Sequence, residues 1–284
     1  MPIQKNIFIV TQGGLDPHYG QWAQEAVAEF MEMFPEYKGD YPVTNIGNWS
    51  SPNKIVSHME YMRAPENRRS LYIPTTDGRF LAPFESTDWA MATAKMSAIN
   101  SGRPNQINAS MLLSLMDIDP TVRQIPQLNV NLVKDDAFAG TPDNNFVYGL
   151  GHQDRGFVLS AHRLERQYGD NPEYLKEVVK TLVMHELGHV FSATFNGRHN
   201  VSNHDGYGNH CDCPGCIMRT DSKAKSNELT NDRLERKRRG EPPLCPECVA
   251  SVKFHLAELS RDNSRIQEEA QNFNLIRSRA RTYS

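Results

Sequence analysis

The segment from Pro172 to Phe195 constrains this chain more than any other, because it reads as an amphipathic helix with a carboxylate on its apolar face. Asp170 or Asn171 stands at the N-cap, and Pro172 occupies the first turn, where its missing N–H is of no consequence. Leu175, Val178, Val179, Leu182 and Val183 then recur at helical spacing. Continued at about 100° per residue, that period turns His185, Glu186 and His189 inward and leaves Lys176, Glu177, Lys180 and Thr181 as the solvent face. An inward glutamate needs a partner or a chemical task.

The three inward polar residues belong to the pentad His185-Glu186-Leu187-Gly188-His189. Such a short pattern is weak evidence alone, and its helical context gives it weight. Histidines four apart on a helix lie one above the other, so both rings can reach one metal ion. With a third ligand, zinc keeps an open position for water, and Glu186 faces that position as a general base. This is chemistry suited to hydrolysis of a peptide or other amide. The third ligand must come from the Gly-, Asn- and His-rich stretch that follows, where His199, His204 and His210 are the candidates.

All five cysteines lie between Cys211 and Cys248, which is a local metal cluster rather than a disulfide framework. Cys213-Pro214-Gly215-Cys216 and Cys245-Pro246-Glu247-Cys248 are two short knuckles that can direct thiolates at one tetrahedral ion. Knuckle geometry alone selects Cys213 and leaves Cys211 spare.

In order along the chain come the pentad, His210-Cys211, Cys216, Met218, Cys245 and Cys248, a string that resembles the archaemetzincins. The segments Asn144 to Gly149 and Phe157 to Leu164 look like that family's two strands before the active-site helix. Asn227 to Cys248 is similar too. The match covers the end of the N-terminal half and most of the C-terminal half, and residues 1–100 match less. Two inserts exceed the family pattern, residues 190–209 before His210 and residues 219–244 after Met218, and Ser192 stands where the family has a glycine. The resemblance implies a zinc metallopeptidase holding two zinc ions. The catalytic one would sit on His185, His189 and His210, and the structural one on Cys211, Cys216, Cys245 and Cys248, so here Cys211 replaces Cys213. It also implies that Met218 lies beneath the catalytic metal, and that a peptide or protein substrate adds to the edge strand near Phe146 to Leu150.

With 284 residues, 38% of them hydrophobic, the chain can bury a substantial core. It has no apolar run of the ~20 residues needed to span a bilayer, and Met1 to Asn6 reads as the approach to a strand. A cytoplasmic protein without membrane association is the expectation. A net charge of −3 argues against general nucleic-acid affinity. The basic run Arg233, Arg236, Lys237, Arg238 and Arg239, interleaved with Glu228 and Glu235, reads as a solvated helix face.

Along the chain the expected elements are a strand from Ile7 to Val10, a helix from Gln21 to Phe34, and an insertion from Lys38 to Asn67 rich in Pro, Asn, Ser and Gly. A hairpin joins Leu71 to Ile73 with Phe80 and Leu81 through Thr75-Thr76-Asp77-Gly78, and a helix runs from Thr87 to Asn100. Strands follow at Leu128 to Val133, Phe146 to Leu150 and Phe157 to Ser160, and helices at Asn227 to Arg239 and within Val249 to Arg281. In the last, Leu256, Leu259, Ile266, Phe273 and Ile276 form the buried side. The expected fold is α+β (mixed α/β): a metzincin-like mixed sheet with an active-site helix in residues 1–195, and a small zinc-bound helical lobe in residues 196–284. Two other readings remain: a non-catalytic zinc-stabilised interaction module, and a zinc hydrolase of non-peptide amides.

Overall fold

The computed structural model describes residues 6–48, 73–74, 80–81, 87–116, 127–140, 146–195, 198–202, 209–219 and 226–261. In chain order the elements are β1 (Asn6–Thr11), α1 (His18–Met31), β2 (Val43–Asn48), β3 (Ile73–Pro74), β4 (Phe80–Leu81), α2 (Thr87–Asn100), β5 (Gln106–Asn108) and α3 (Ala109–Met116). Then come β6 (Gln127–Val133), β7 (Asp136–Phe138), β8 (Gly149–His152), β9 (Gly156–Ser160), α4 (His162–Tyr168), α5 (Pro172–Val190), β10 (Val201–Ser202), β11 (His210–Cys211) and α6 (Ser226–Arg238). A last helix, α7, spans 246–261.

Five strands form the central sheet in the order β2-β1-β6-β9-β8. The first four run parallel, and β8 returns antiparallel along β9 to form one edge. The fold is therefore a mixed α/β sheet covered on both faces, as the sequence implied. Ile7, Ile9, Val130, Leu132, Phe157 and Leu159 pack toward α1 and α5. Val133 and Val158 point the other way, against Ala90, Ala94, Leu112 and Leu113 of α2 and α3. Burial on both faces explains why β9 shows no polar alternation: all five of its residues are buried. The first apolar cluster continues past α5 into Cys211, Cys216, Ile217, Met218, Leu244, Val252 and Leu256. Among the described residues no helix is long and apolar enough to cross a membrane.

Several boundaries differ from those expected. Helix α1 begins at His18 instead of Gln21, with Pro17 before it, and ends at Met31. Met33 and Phe34 then close a tighter turn onto the carbonyls of Phe30 and Met31. The edge strand begins at Gly149, not Phe146, because Val147 makes a lone bridge to Ala137 and the chain turns at Tyr148 before joining β9. Helix α5 ends at Val190 rather than Phe195. There Ser192 takes a left-handed φ of 57°, its N–H donates to the His189 carbonyl at 3.2 Å, and that of Ala193 donates to the Gly188 carbonyl at 2.8 Å. This is a Schellman stop, and Ser192 fills the glycine-favouring position of it. The hairpin appears as the pair β3 and β4, with Ile73 opposite Leu81. Its turn from Thr75 to Gly78 lies outside the described residues, as do His204, Ile266, Phe273, Ile276 and most of the insertion after Asn48.

The expected solvent face of α5 is only partly solvated. Lys180 is 7% exposed and Thr181 is fully buried, because α1 and α6 cover that flank. The buried residues there include Arg233, from the run read as a solvated face, which is 1% exposed. Its Nε donates to Thr181 Oγ1 at 2.8 Å, one terminal nitrogen meets Glu29 Oε1 at 2.9 Å, and the other pairs with Glu177. Lys180 Nζ completes the group 3.0 Å from Glu29 Oε2. Opposite charges brought by three helices are what make these buried positions tolerable.

Candidate metal centre

Helix α5 starts on Asn171, whose side-chain oxygen accepts from the Tyr174 N–H at 3.1 Å, and carries His185, Glu186 and His189 on the side that looks past β8. His210 arrives from β11, which pairs antiparallel with β10 and so folds the long insert back onto the helix. One ring nitrogen from each of His185, His189 and His210 lies within 4.8 Å of the others. His199 falls in the turn before β10 and is not part of this group.

Ring orientation is set from outside. His185 Nδ1 stands 2.6 Å from the Ile217 carbonyl, to which it donates. That bond fixes the tautomer and leaves Nε2 as a lone pair facing Nε2 of His189, 3.1 Å away. Burial, together with the neighbouring His185 and His210, holds the His189 imidazole well below its usual range, hence neutral. Two ring nitrogens each ~2.0–2.1 Å from one tetrahedral ion lie roughly 3.3 Å apart. The spacing and the neutral donors therefore fit a bound zinc.

Glu186 is 5% exposed. Burial pushes its carboxyl up to about 8, partly offset by a hydrogen bond from the Gly151 N–H. The room for this side chain comes from two glycines that the sequence did not single out. A Cβ on Gly149 would collide with Glu186 Oε1, and one on Gly151 would come 2.9 Å from Oε2 and 3.1 Å from His189 Cβ. The edge strand thus lies directly against the carboxylate. Gly188, inside the pentad, is equally constrained: its Cβ would fall on the Met218 sulfur and 2.9 Å from the Met218 methyl. Met218 is fully buried under the helix, and its carbonyl accepts from the Cys211 N–H at 2.9 Å.

The second cluster gathers Cys211, Cys216, Cys245 and Cys248, all buried. Cys211 Sγ lies 3.6 Å from Cys245 Sγ, and Cys216 Sγ 3.7 Å from Cys248 Sγ. Thiolates at ~2.3 Å from a tetrahedral ion would stand ~3.8 Å apart, so this donor set also fits zinc. Backbone N–H groups of Cys213 and Cys245 point at Cys211 Sγ and Cys216 Sγ at 3.4 and 3.3 Å. Cys213 is more exposed. It lies instead near Cys245 and Glu247, and Asn200 Nδ2 donates to its sulfur at 3.2 Å.

Sequence reasoning also passed over Arg198, in the insert before His210. Its guanidinium donates to the Ala193 carbonyl after α5, to Cys248 Sγ at 3.4 Å, to Ser251 Oγ at 3.1 Å and to Asn200 Oδ1 at 2.9 Å. A cation against the sulfurs offsets their negative charge. No local pattern marks it, because its partners lie far along the chain.

No protein-family model matches this chain. Three curated proteins do, all named archaemetzincin: from Pyrococcus horikoshii, 38% identical over 81 residues, from Pyrococcus furiosus, 37% over 78, and from Pyrococcus abyssi, 35% over 78. The first alignment covers 27% of this chain and 35% of the relative, and the others 26% of this chain with 33% and 34% of theirs. The chain thus spans about a third of the length of the curated relatives it matches. The crystal structure of archaemetzincin from Methanopyrus kandleri superposes with a TM-score of 0.48 at 20% identity, over 89% of this chain and 96% of that one. Over about a quarter of its length the chain is similar to the archaemetzincins, the family that its ordered His, Cys and Met motifs resemble.

Proposed function

We propose that the protein is a zinc-dependent metallopeptidase, with His185, His189 and His210 holding the catalytic ion and Glu186 acting as general base. Cys211, Cys216, Cys245 and Cys248 hold a second, structural zinc. One observation carries the reading: a buried glutamate stands beside three converging imidazoles, that of His185 oriented by the Ile217 carbonyl, and against an edge strand stripped of side chains at Gly149 and Gly151. When bound, zinc supplies Lewis acidity, which polarises a carbonyl and brings the pKa of water near 7.

The chain's own groups do the rest. An extended peptide adds to the open side of β8 through main-chain hydrogen bonds, which sets its carbonyl near Glu186. Glu186 takes a proton from the attacking water at one carboxylate oxygen, and the hydroxyl joins the carbonyl carbon. As the C–N bond breaks, the same carboxyl returns the proton to the departing amine. The Gly151 N–H steadies the carboxylate, and the Ile217 carbonyl keeps the His185 lone pair directed inward. Five cysteines with no disulfide among them fit a reducing compartment, and we place the protein in the cytoplasm.

The test is to incubate the zinc-loaded protein and its Glu186→Ala variant with a diverse peptide mixture and to read new termini by mass spectrometry. Cleavage by the parent alone is expected. Equal cleavage by both would remove Glu186 from its role, and no cleavage by either would favour a zinc-stabilised interaction module.

A further inference from the structure

Beside the N-terminal end of the edge strand lies an open cavity of about 280 Å³ lined by Tyr148, Arg163, Arg166 and Gln167. Tyr148 directly precedes Gly149, the residue in closest approach to Glu186. Val147 and Leu150 pack toward the α2 and α3 face, whereas Tyr148 packs on the side of α5. Tyr148 and Gly149 thus turn toward the same side. At ~3.3 Å per residue, a strand added to β8 would carry a side chain into this cavity within one or two residues of the bond beside Glu186.

The charges in the cavity are unequal in what they have left to offer. Arg163 is already matched, its Nε and one terminal nitrogen donating at 2.8 Å to the two carboxylate oxygens of Asp136, with its guanidinium 3.7 Å from the Phe146 ring centre. Tyr148 Oη donates to Gln167 Oε1 at 3.1 Å, which fixes the wall between strand and helix. Arg166, one turn along α4 from Arg163, has no carboxylate partner among the described residues. The neighbouring Glu165 faces Tyr19 instead. Among the described residues the cavity therefore holds one guanidinium without a carboxylate partner, five fixed N–H donors suited to a planar carboxylate.

We infer that this cavity is a specificity subsite that receives an acidic side chain of the peptide, with Arg166 as its selector. The inference rests on the peptidase reading for its orientation, but binding tests it separately from cleavage. The probes are acetylated, amidated decapeptides of Ala and Thr carrying Glu, Gln or Lys at one position, moved stepwise along the peptide. Their affinities are measured by isothermal titration on the zinc-loaded Glu186→Ala protein, which preserves the peptide.

At one position, Glu should bind about 10-fold tighter than Gln. Arg166→Ala should erase that difference, and Arg166→Glu should shift the preference to Lys, with an unchanged melting temperature because Arg166 is exposed. Equal affinity for Glu and Gln at every position, or a Glu preference surviving in Arg166→Glu, overturns the subsite. Acid-selective binding without cleavage by the parent would keep the subsite and sink the peptidase. Cleavage without acid selectivity would do the reverse.

Discussion

Nε2 of His185 and Nε2 of His189 face each other across 3.1 Å, and the Nδ1 of His185 is already committed to the Ile217 carbonyl. The His185 lone pair so placed calls for a proton or a metal cation between the two nitrogens. Metal analysis of the purified protein by mass spectrometry should therefore find two zinc ions per chain. His210→Ala should retain one and His204→Ala both. Loss of an ion from His204→Ala with none lost from His210→Ala would move the third ligand to His204.

Gly149 has no space for a methyl group, because Glu186 Oε1 occupies it. Gly149→Ala should thus displace the carboxylate while sparing the ligands. Peptidase turnover should fall about 100-fold, as expected when a catalytic group is moved by about an ångström. Zinc content should stay at two ions. Full turnover in this variant would show that the base sits elsewhere.

Arg198 reaches the sulfurs of the Cys cluster and the Ala193 carbonyl just beyond α5. Its loss leaves thiolates without their nearest cation, and outer-shell partners of this kind are worth roughly 10- to 100-fold in metal affinity. Zinc transfer from Arg198→Ala to a chromogenic chelator should be faster than from the parent by that order. Release at the parental rate would reduce Arg198 to a packing residue.

Arg233 is enclosed by Glu29, Glu177 and Thr181. Removing it strands two partly exposed carboxylates, so Arg233→Met should destabilise by about 3 kcal/mol, the low end for breaking a buried pair. Denaturant unfolding measures this directly. A change under about 0.5 kcal/mol would mean that solvent already screens the cluster.

The same cluster sets an acid limb. Burial raises the Glu29 carboxyl, but the Lys180 hydrogen bond and the charges of Arg233, Lys180 and Lys237 outweigh it and leave the group below its usual 4.5. Asp136 is likewise held below 3.8, with burial outweighed by Arg163 and Gln106. A carboxyl with a lowered folded pKa stabilises above its unfolded value, and that contribution is lost as pH falls through the folded one. Melting temperature should thus be flat near neutrality and fall below about pH 4.5. Glu29→Gln should melt lower at pH 7 yet lose less on acidification. A parallel acid limb in the two proteins would exclude Glu29 as a contributor.

The chemistry of the site was more legible in the sequence than its shape. An inward glutamate between two histidines on a periodic helix announces itself, because a helix has one period and the violation is local. His210 was separable from His199 only through its neighbour Cys211 and the family pattern. Gly149, Gly151 and Gly188 carried no signal, since what they exclude is a methyl group pressing on Glu186 or Met218, side chains far from them or on another turn. Lys180, Thr181 and Arg233 look solvent-facing in the sequence because polar character is taken for exposure. Their burial depends on α1 and α6 bringing countercharges, a fact of packing that one helix cannot reveal. The edge strand was placed too early for a related reason: β-propensity favours Phe146 to Tyr148, whereas proximity to a carboxylate selects glycine.

Strand β11 is two residues long, and successive side chains of a strand leave it on opposite faces. His210 goes to one cluster and Cys211 to the other. The dipeptide thus ties the His cluster to the Cys cluster. Under the proposed two-zinc reading, an ion on the Cys cluster would anchor the backbone that presents His210, so the two seats are coupled through one dipeptide. Emptying the Cys cluster would accordingly loosen the seat of His210 as well.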